Sequence, residues 1–324
     1  MRLGGAARYV CEVRSEEDLQ EALDFAASKE VAHRVIGAGS NIVWRDEGYD
    51  GMLIVNHIEG FEILENGVSV RIGAGMPWDD AVAKAVDAGL SGIEFLSLIP
   101  GTSGATPVQN VGAYGSEIKD VLTSLRAYDT VEKKYIEISK DDCHFGYRTS
   151  RFKTDDAGRF VITSITLKLT KDLPQPPFYE VLQAYFDEHP AEAYTPQIIR
   201  TAVIRIRSSR LPDPAVDANN GSFFANPIVS PDVFTALQAE HPGIKGWPFG
   251  DGVKLAAGWL VDNAGFRDTH DEETGMATWA KQNLVLINEN ARTTSDLLKF
   301  RQKIIDAVQE QFGVTLEQEP ELLP

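Results

Sequence analysis

The chain has 324 residues, 43% hydrophobic and 24% charged, a balance that excludes disordered, collagen-like and low-complexity proteins. Thirty-one Lys and Arg stand against 48 Asp and Glu, so the net charge of −17 repels phosphate backbones and excludes nucleic-acid binding by the surface as a whole. No stretch approaches the roughly 18 apolar residues of a membrane helix, and the N-terminus lacks a signal-peptide core, so a cytoplasmic protein without membrane insertion is expected.

The first third alternates strand and helix signals. Tyr9 to Val13 reads as a strand. Ser15 caps a helix whose first turn is acidic and whose Leu19, Ala22, Leu23 and Ala26 recur at helical spacing. His33 to Ile36 and Leu53 to Val55 read as further strands, and Val68, Val70 and Ile72 alternate as in a half-buried one. Pro77 opens a helix carrying Trp78, Val82, Ala85 and Val86. Residues 92–115 are rich in glycine and proline and lack periodicity. A loop of that length in a compact domain is usually functional.

Alternating runs over 120–170, such as Ile165, Leu167 and Leu169, predict antiparallel strands. Residues 171–198 form a proline-flanked excursion around a short helix. A regular element restarts at Ala202 to Ile206, and Ser230-Pro231-Asp232 opens another helix. Leu284 to Ile287 reads as a buried strand. Ser295 is expected to cap a long helix with Leu298, Arg301, Ile304, Ile305, Val308 and Phe312, ended by Gly313. The tail from 314 is short and acidic.

Five segments could carry chemistry. Gly37-Ala38-Gly39-Ser40-Asn41 follows a strand and is either a tight turn or an anion cradle of backbone amides; Ile42 and the absence of a following helix pattern argue against a dinucleotide fingerprint. The 92–115 loop, with Ser103, Thr106, Gln109 and Asn110, suits a backbone wrapped on a polar or phosphorylated ligand, or serves as a structural loop. Residues 143–153 mix aromatics with Arg148 and Arg151, which suit carboxylate or phosphate binding or a solvated basic face. Ser222 lies between Gly221 and Phe223-Phe224, outside any nucleophile elbow, and taken alone reads as an ordinary capping or turn serine; Arg205, Arg207 and Arg210 upstream form a candidate anion site. Lys254 to Asp262 reads as an amphipathic helix with Lys254 in its first turn. Cys11 and Cys143 are too few for a disulfide framework, and the histidines have no zinc-site spacing, so no metal is expected.

The order GAGSN, FLSLIPGTSGATPVQNVGAYG, CHFGYRTSRFK, RLPDP…NNGSFFANP, KLAAGWLVD and LVLINEN resembles the UDP-N-acetylenolpyruvoylglucosamine reductase family, over about 3–321. The excursion at 171–198 resembles the type I branch. The resemblance implies an α+β fold: a two-lobed FAD-binding domain of the vanillyl-alcohol-oxidase/PCMH type at 1–200, with lobes of about 1–63 and 64–200. A smaller α+β substrate domain at 201–313 and a tail at 314–324 returning to the FAD domain complete it. It implies non-covalent FAD held by Gly37, Ala38, Gly39, Ser40, Asn41, Ile99, Pro100, Gly101, Ser103, Gly104, Gln109, Asn110, Gly112, Ala113 and Ile162.

NADPH would be the reductant and a UDP-sugar the substrate, with the chain acting as a monomer. Ser222 would be the proton donor, and Arg148 and Glu319 the pair acting on the substrate carboxylate. Tyr114, Tyr147, Tyr185, Arg210, Asn226, Lys254 and Arg267 would bind substrate. The chain departs from the family where Arg210 replaces a usual lysine, where Ala225 follows Ser222-Phe223-Phe224, and in the tail Glu319-Pro320-Glu321. The Asn-Thr that precedes Leu3-Gly4 in the family is missing, so a few N-terminal residues are expected to be absent. The rival expectations are another FAD oxidoreductase of the same fold, such as a sugar oxidase, and a catalytically weak nucleotide-binding relative.

Overall fold

A computed structural model describes residues 1–324. The chain runs β1 (Ala7–Val13), α1 (Glu16–Ser28), β2 (His33–Ile36), β3 (Ile42–Trp44), β4 (Tyr49–Asn56), β5 (Phe61–Ile63), β6 (Ser69–Gly73), α2 (Trp78–Asp87), β7 (Gly112–Ala113), β8 (Ser116–Glu117) and α3 (Ile118–Val121). It continues with β9 (Leu122–Asp129), β10 (Lys134–Ser139), β11 (Phe160–Lys168), α4 (Glu180–Glu188), α5 (Pro196–Arg210), β12 (Ala218–Ser222), β13 (Ile228–Val229) and α6 (Pro231–Glu240). Last come β14 (Gly246–Phe249), β15 (Gly252–Leu255), α7 (Ala257–Asn263), β16 (His270–Asp271), β17 (Met276–Trp279), β18 (Gln282–Asn288), α8 (Thr294–Phe312) and β19 (Glu321–Leu323). No helix is long and apolar enough to cross a membrane.

The chain divides into two compact units. The larger holds Ala7–Ser40 and Tyr49–Ser209; the smaller holds Met1–Ala6, Asn41–Gly48 and Arg210–Pro324. This differs from the expected division at 200/201. Helix α5 is continuous across that point, and its Ile199, Ala202, Val203 and Ile206 are buried together against Leu182 and Phe186 of α4. Cutting at 200 would halve one apolar face. The element expected to restart at Ala202 is therefore the middle of a helix.

In the larger unit, β1 and β2 flank β4 in a parallel three-stranded sheet, as β-α-β signals require. Helix α1 covers it with Leu19, Ala22, Leu23 and Ala26. The Ser15 hydroxyl accepts from the Asp18 amide at 3.0 Å, the expected cap. A five-stranded antiparallel sheet, order β10-β9-β11-β6-β5, carries the main core. Helix α2 packs into that core with Trp78, Ala81, Val82, Ala85 and Val86 all buried. Pro77 stands at its N-cap rather than inside its first turn.

In the smaller unit, β12-β18-β17-β16 and β13-β15-β14 form two antiparallel sheets. Helix α8 buries Leu297, Phe300, Ile304, Val308 and Phe312 in the core. Its cap is Thr293, not Ser295. The Thr293 hydroxyl accepts from the Asp296 amide and the Asp296 carboxylate from the Thr293 amide, a reciprocal pair that Ser295 has no acid in place to complete. The chain end pairs in parallel with β3, Glu321 opposite Ile42.

Candidate functional site

The Gly37–Ser40 turn follows directly from β2. Gly39 has φ +69°, and a Cβ at Gly37 would lie 2.1 Å from the hydroxyl of Thr102. Gly101 has φ +119°, and a Cβ there would come 3.6 Å from the Ser40 hydroxyl. Two glycine turns distant in sequence therefore meet; a Cβ is sterically excluded at Gly37, and at Gly39 and Gly101 the positive φ disfavours one. The second turn is tied to α2. The Trp78 indole donates to the Leu96 carbonyl at 2.9 Å and the Trp78 amide to the Gly101 carbonyl at 3.0 Å. Beyond it, the amides of Ser103 and Gly104 go to the carbonyls of Met76 and Ala74. The amides of Ala38, Gly39, Gly101 and Thr102 bond to no other backbone group. Unused donors gathered where no Cβ intrudes fit a diphosphate. Thr102, buried and in contact with Gly37, was missed by sequence reasoning, although its place in Pro100-Gly101-Thr102-Ser103-Gly104 marks it.

Asn110 is fully buried with φ +47°, and its side chain is spent on the protein. It donates to the Glu117 carboxylate and the Gly146 carbonyl, both at 3.0 Å, and accepts from the Lys119 amide at 3.2 Å. It thereby ties the 110–119 hairpin to the 146–149 turn that carries Tyr147 and Arg148. Arg148, at φ +53°, donates to the Gly112 carbonyl at 2.8 Å and lies over the Tyr147 ring. Ala113 sits in β7 beside the core, and Gln109 is half-buried just before Asn110. Ile162 is a buried residue of β11 whose carbonyl accepts from Asn56.

Tyr114 stands edge-on to Tyr179 and is hydrogen-bonded by Arg207. Tyr185 accepts from Arg205 at 3.1 Å and stacks on His189. The half-buried Ile99 and exposed Pro100 lead into Gly101.

In the smaller unit, the chain dives into the core immediately after Ser222. Phe223 and Phe224 are 0% and 1% exposed, whereas Ser222 is exposed at the end of β12. The pairing of β12 with β18 shifts register between Asn219 and Ser222. There the Asn219 side chain accepts from the Gly221 amide, and Gly221 has φ +71°. Such an irregularity re-aims the next side chain.

The tail lies alongside. The Glu319 amide donates to the Phe223 carbonyl at 2.9 Å, and the Ala225 amide to the Glu317 carbonyl at 3.0 Å. Residue 319 is thus the member of the acidic tail that lies against the Ser222-Phe223 turn. Glu317 and Glu321 are exposed; Glu319 is half-buried. Asn41 belongs to this unit: its side chain reaches the Glu319 carbonyl at 3.4 Å, and its own carbonyl takes the Glu321 amide at 2.9 Å. Glu319 is bonded through its backbone to Phe223, the residue after Ser222, while Arg148 belongs to the larger unit.

Lys254 is in strand β15, opposite Ile228 and Trp247, and not in the first turn of a helix. Helix α7 begins only at Ala257, where its first amide is taken by the Asn226 side chain at 2.9 Å. The Lys254 ammonium lies 4.9 Å from the centre of the Phe249 ring. Arg267 is ion-paired with Asp262, which holds that carboxyl below its usual range. Arg210 is the exposed last residue of α5, and its carbonyl accepts from Trp279.

Residues 7–133 match the FAD binding domain family, and residues 213–323 match the C-terminal domain of UDP-N-acetylenolpyruvoylglucosamine reductase. The chain is 40% identical to the UDP-N-acetylenolpyruvoylglucosamine reductase of Ralstonia nicotianae, over 98% of this chain and 94% of that one. It belongs to the UDP-N-acetylenolpyruvoylglucosamine reductase family. The reductase of Pseudomonas syringae pv. syringae is likewise 40% identical, over 98% of this chain and 93% of its own. The crystal structure of the Thermus caldophilus reductase shares the fold, with a TM-score of 0.66 at 22% identity, covering 97% of this chain and 92% of that one. As a member of the reductase family the chain is an oxidoreductase, and the expected combination of an FAD-binding domain with a second α+β domain is the one found.

Proposed function

We propose that the chain reduces the enolpyruvyl group of UDP-N-acetylenolpyruvoylglucosamine to give UDP-N-acetylmuramate, with NADPH as reductant and non-covalent FAD. The observation that carries this reading is the backbone register that sets Glu319 against the Ser222-Phe223 turn in a chain of this family. The amides of Ala38, Gly39, Gly101 and Thr102 would hold the diphosphate of FAD. When bound, FAD supplies hydride chemistry, taking hydride from NADPH and delivering it to C3 of the enolpyruvyl group.

Negative charge then develops at C2 beside the substrate carboxylate, and groups aimed at it lower the barrier. Arg148 supplies the cation. Ser222 holds the proton that C2 receives. A hydroxyl is a weak acid, so it serves only where its position substitutes for acidity. Lys254, Arg210 and Arg267 would hold the UDP phosphates, and Tyr114, Tyr147, Tyr185 and Asn226 the rest of the substrate.

The test is anaerobic. NADPH should be oxidised in proportion to added enolpyruvyl substrate, and the product should be heavier by two hydrogens. Reduction of the flavin by a free sugar, and no reaction with NADPH, would replace this reading with an oxidase.

Two further outcomes follow from the geometry. Gly37→Ala places a methyl on the buried Thr102 hydroxyl, so the variant should purify with less flavin, read as the ratio of visible to protein absorbance. Lys254→Ala and Arg210→Ala remove contacts to phosphates that do not react. Each should raise KM for the substrate by about tenfold with little change in kcat, the mark of binding shared by ground and transition states. A fall in kcat at unchanged KM would place these residues in the chemistry instead.

A further inference from the structure

Asp79, near the start of α2, is bonded in a way that core packing does not require. Its Oδ1 accepts from the Leu98 amide at 2.5 Å and from Arg200 Nη1 at 2.6 Å, and its Oδ2 from Arg200 Nη2 at 2.9 Å. The Arg200 side chain is 12% exposed and that of Asp79 30%, so this bidentate pair is largely withdrawn from water. Burial works to raise the Asp79 pKa, but the Arg200 and Leu98 bonds outweigh it and leave it lowered.

What this carboxylate holds is unusual. Leu98 has φ +57°, a left-handed backbone that leucine adopts at a cost, and its side chain is 38% exposed, so burial does not compensate. Its carbonyl accepts from Arg207 at 3.3 Å. Both polar backbone groups of Leu98 are thus gripped by side chains from α2 and α5. The next residues are Ile99, Pro100, Gly101 and Thr102. The Trp78 amide holds the Gly101 carbonyl, and with it the Thr102 amide of the same planar peptide unit, so the direction in which the chain leaves Leu98 sets where the unused Gly101 amide lies. The far end of the loop is fixed by Ser103 and Gly104. The loop is clamped at both ends and unbonded at the middle amides.

We propose that Asp79, aimed by Arg200, is a positioning residue for cofactor binding: it holds Leu98 in the left-handed turn that presents the Gly101 amide, beside the Thr102 amide held through Trp78, to the flavin diphosphate. This rests on the reading that FAD occupies that loop. The residue acts through Leu98 and touches no reacting atom.

The experiment follows FAD release on dilution of the holoenzyme by the rise in free-flavin fluorescence. It compares wild type, Asp79→Ala, Leu98→Gly and the double variant. Asp79→Ala should weaken FAD retention about tenfold, the scale of an unsupported left-handed leucine. In the Leu98→Gly background the same change should cost about threefold or less, because glycine takes that backbone without steric penalty. Equal losses in both backgrounds, or no loss, would overturn the proposal, since a merely structural carboxylate would not depend on residue 98. If Asp79→Ala does not accumulate, Asp79→Asn replaces it: it gives up the charge toward Arg200 and should show the same dependence on Leu98→Gly. Wild type that retains no FAD would overturn the reading of the loop, and this inference with it. Wild type that retains FAD while the variants lose it unselectively would overturn this inference alone.

Discussion

Replacing Ser222 by alanine is expected to leave a yellow protein that NADPH bleaches at the wild-type rate but that enolpyruvyl substrate reoxidises roughly 10²–10⁴-fold more slowly. The two half-reactions separate because the proton at C2 is needed only after hydride has left the flavin. The local fold should survive. Ser222 is exposed, and the side chains that fix its surroundings are the buried Phe223 and Phe224 behind it and the Asn219–Gly221 turn before it. None of these depends on the hydroxyl. A defect confined to the second half-reaction therefore reports proton delivery, whereas an equal loss in both would report misfolding. Reoxidation at the wild-type rate would remove Ser222 from the mechanism.

The elements legible in the sequence were those whose signals are local. The α1 cap at Ser15, the alternating strands around Ile165 and the aperiodic 92–115 loop all declare themselves within a few residues. Where two local signals competed, the structure used long-range terms to choose. Lys254-Leu255-Ala256-Ala257 offers apolar residues at either period, and pairing of Lys254 with Ile228 and Trp247 takes it into a strand. Thr293 and Ser295 are both capable caps, and Asp296 is three residues from only the first. The membership of 41–48 in the smaller unit had no local signal, because it arises from parallel pairing with a strand more than 270 residues away. The candidate site was legible as a set of residue types. Its wiring was not. Nothing near Asn110 in sequence announces that its side chain serves Gly146, and nothing near Leu98 announces Asp79 and Arg200.

The same limit applies to the acidic tail, where spacing alone allows Glu317, Glu319 or Glu321 to act, since alternate residues of a strand share a face. Backbone register separates them. The carbonyl of Glu317 is bonded opposite Ala225, beyond the two phenylalanines, and Glu321 has already passed into pairing with Ile42. Only Glu319 is bonded to the Ser222-Phe223 turn, with Asn41 gripping the chain on both sides of the buried Pro320. The proline, which could have rotated the set, is thereby held in one place. Gln318 reinforces it, accepting from Arg301 at 2.9 Å and donating to the Pro320 carbonyl at 2.6 Å. Glutamine at 319 keeps the shape and removes the acid. Glu319→Gln should therefore slow reoxidation by substrate roughly 10²–10⁴-fold while leaving reduction by NADPH within about threefold, because no substrate anion forms in that step. Glu317→Gln and Glu321→Gln, measured beside it, should stay close to wild type in both half-reactions, as exposed surface substitutions do. If Glu319→Gln proves the most active of the three, Glu319 is not the carboxyl that acts on the substrate.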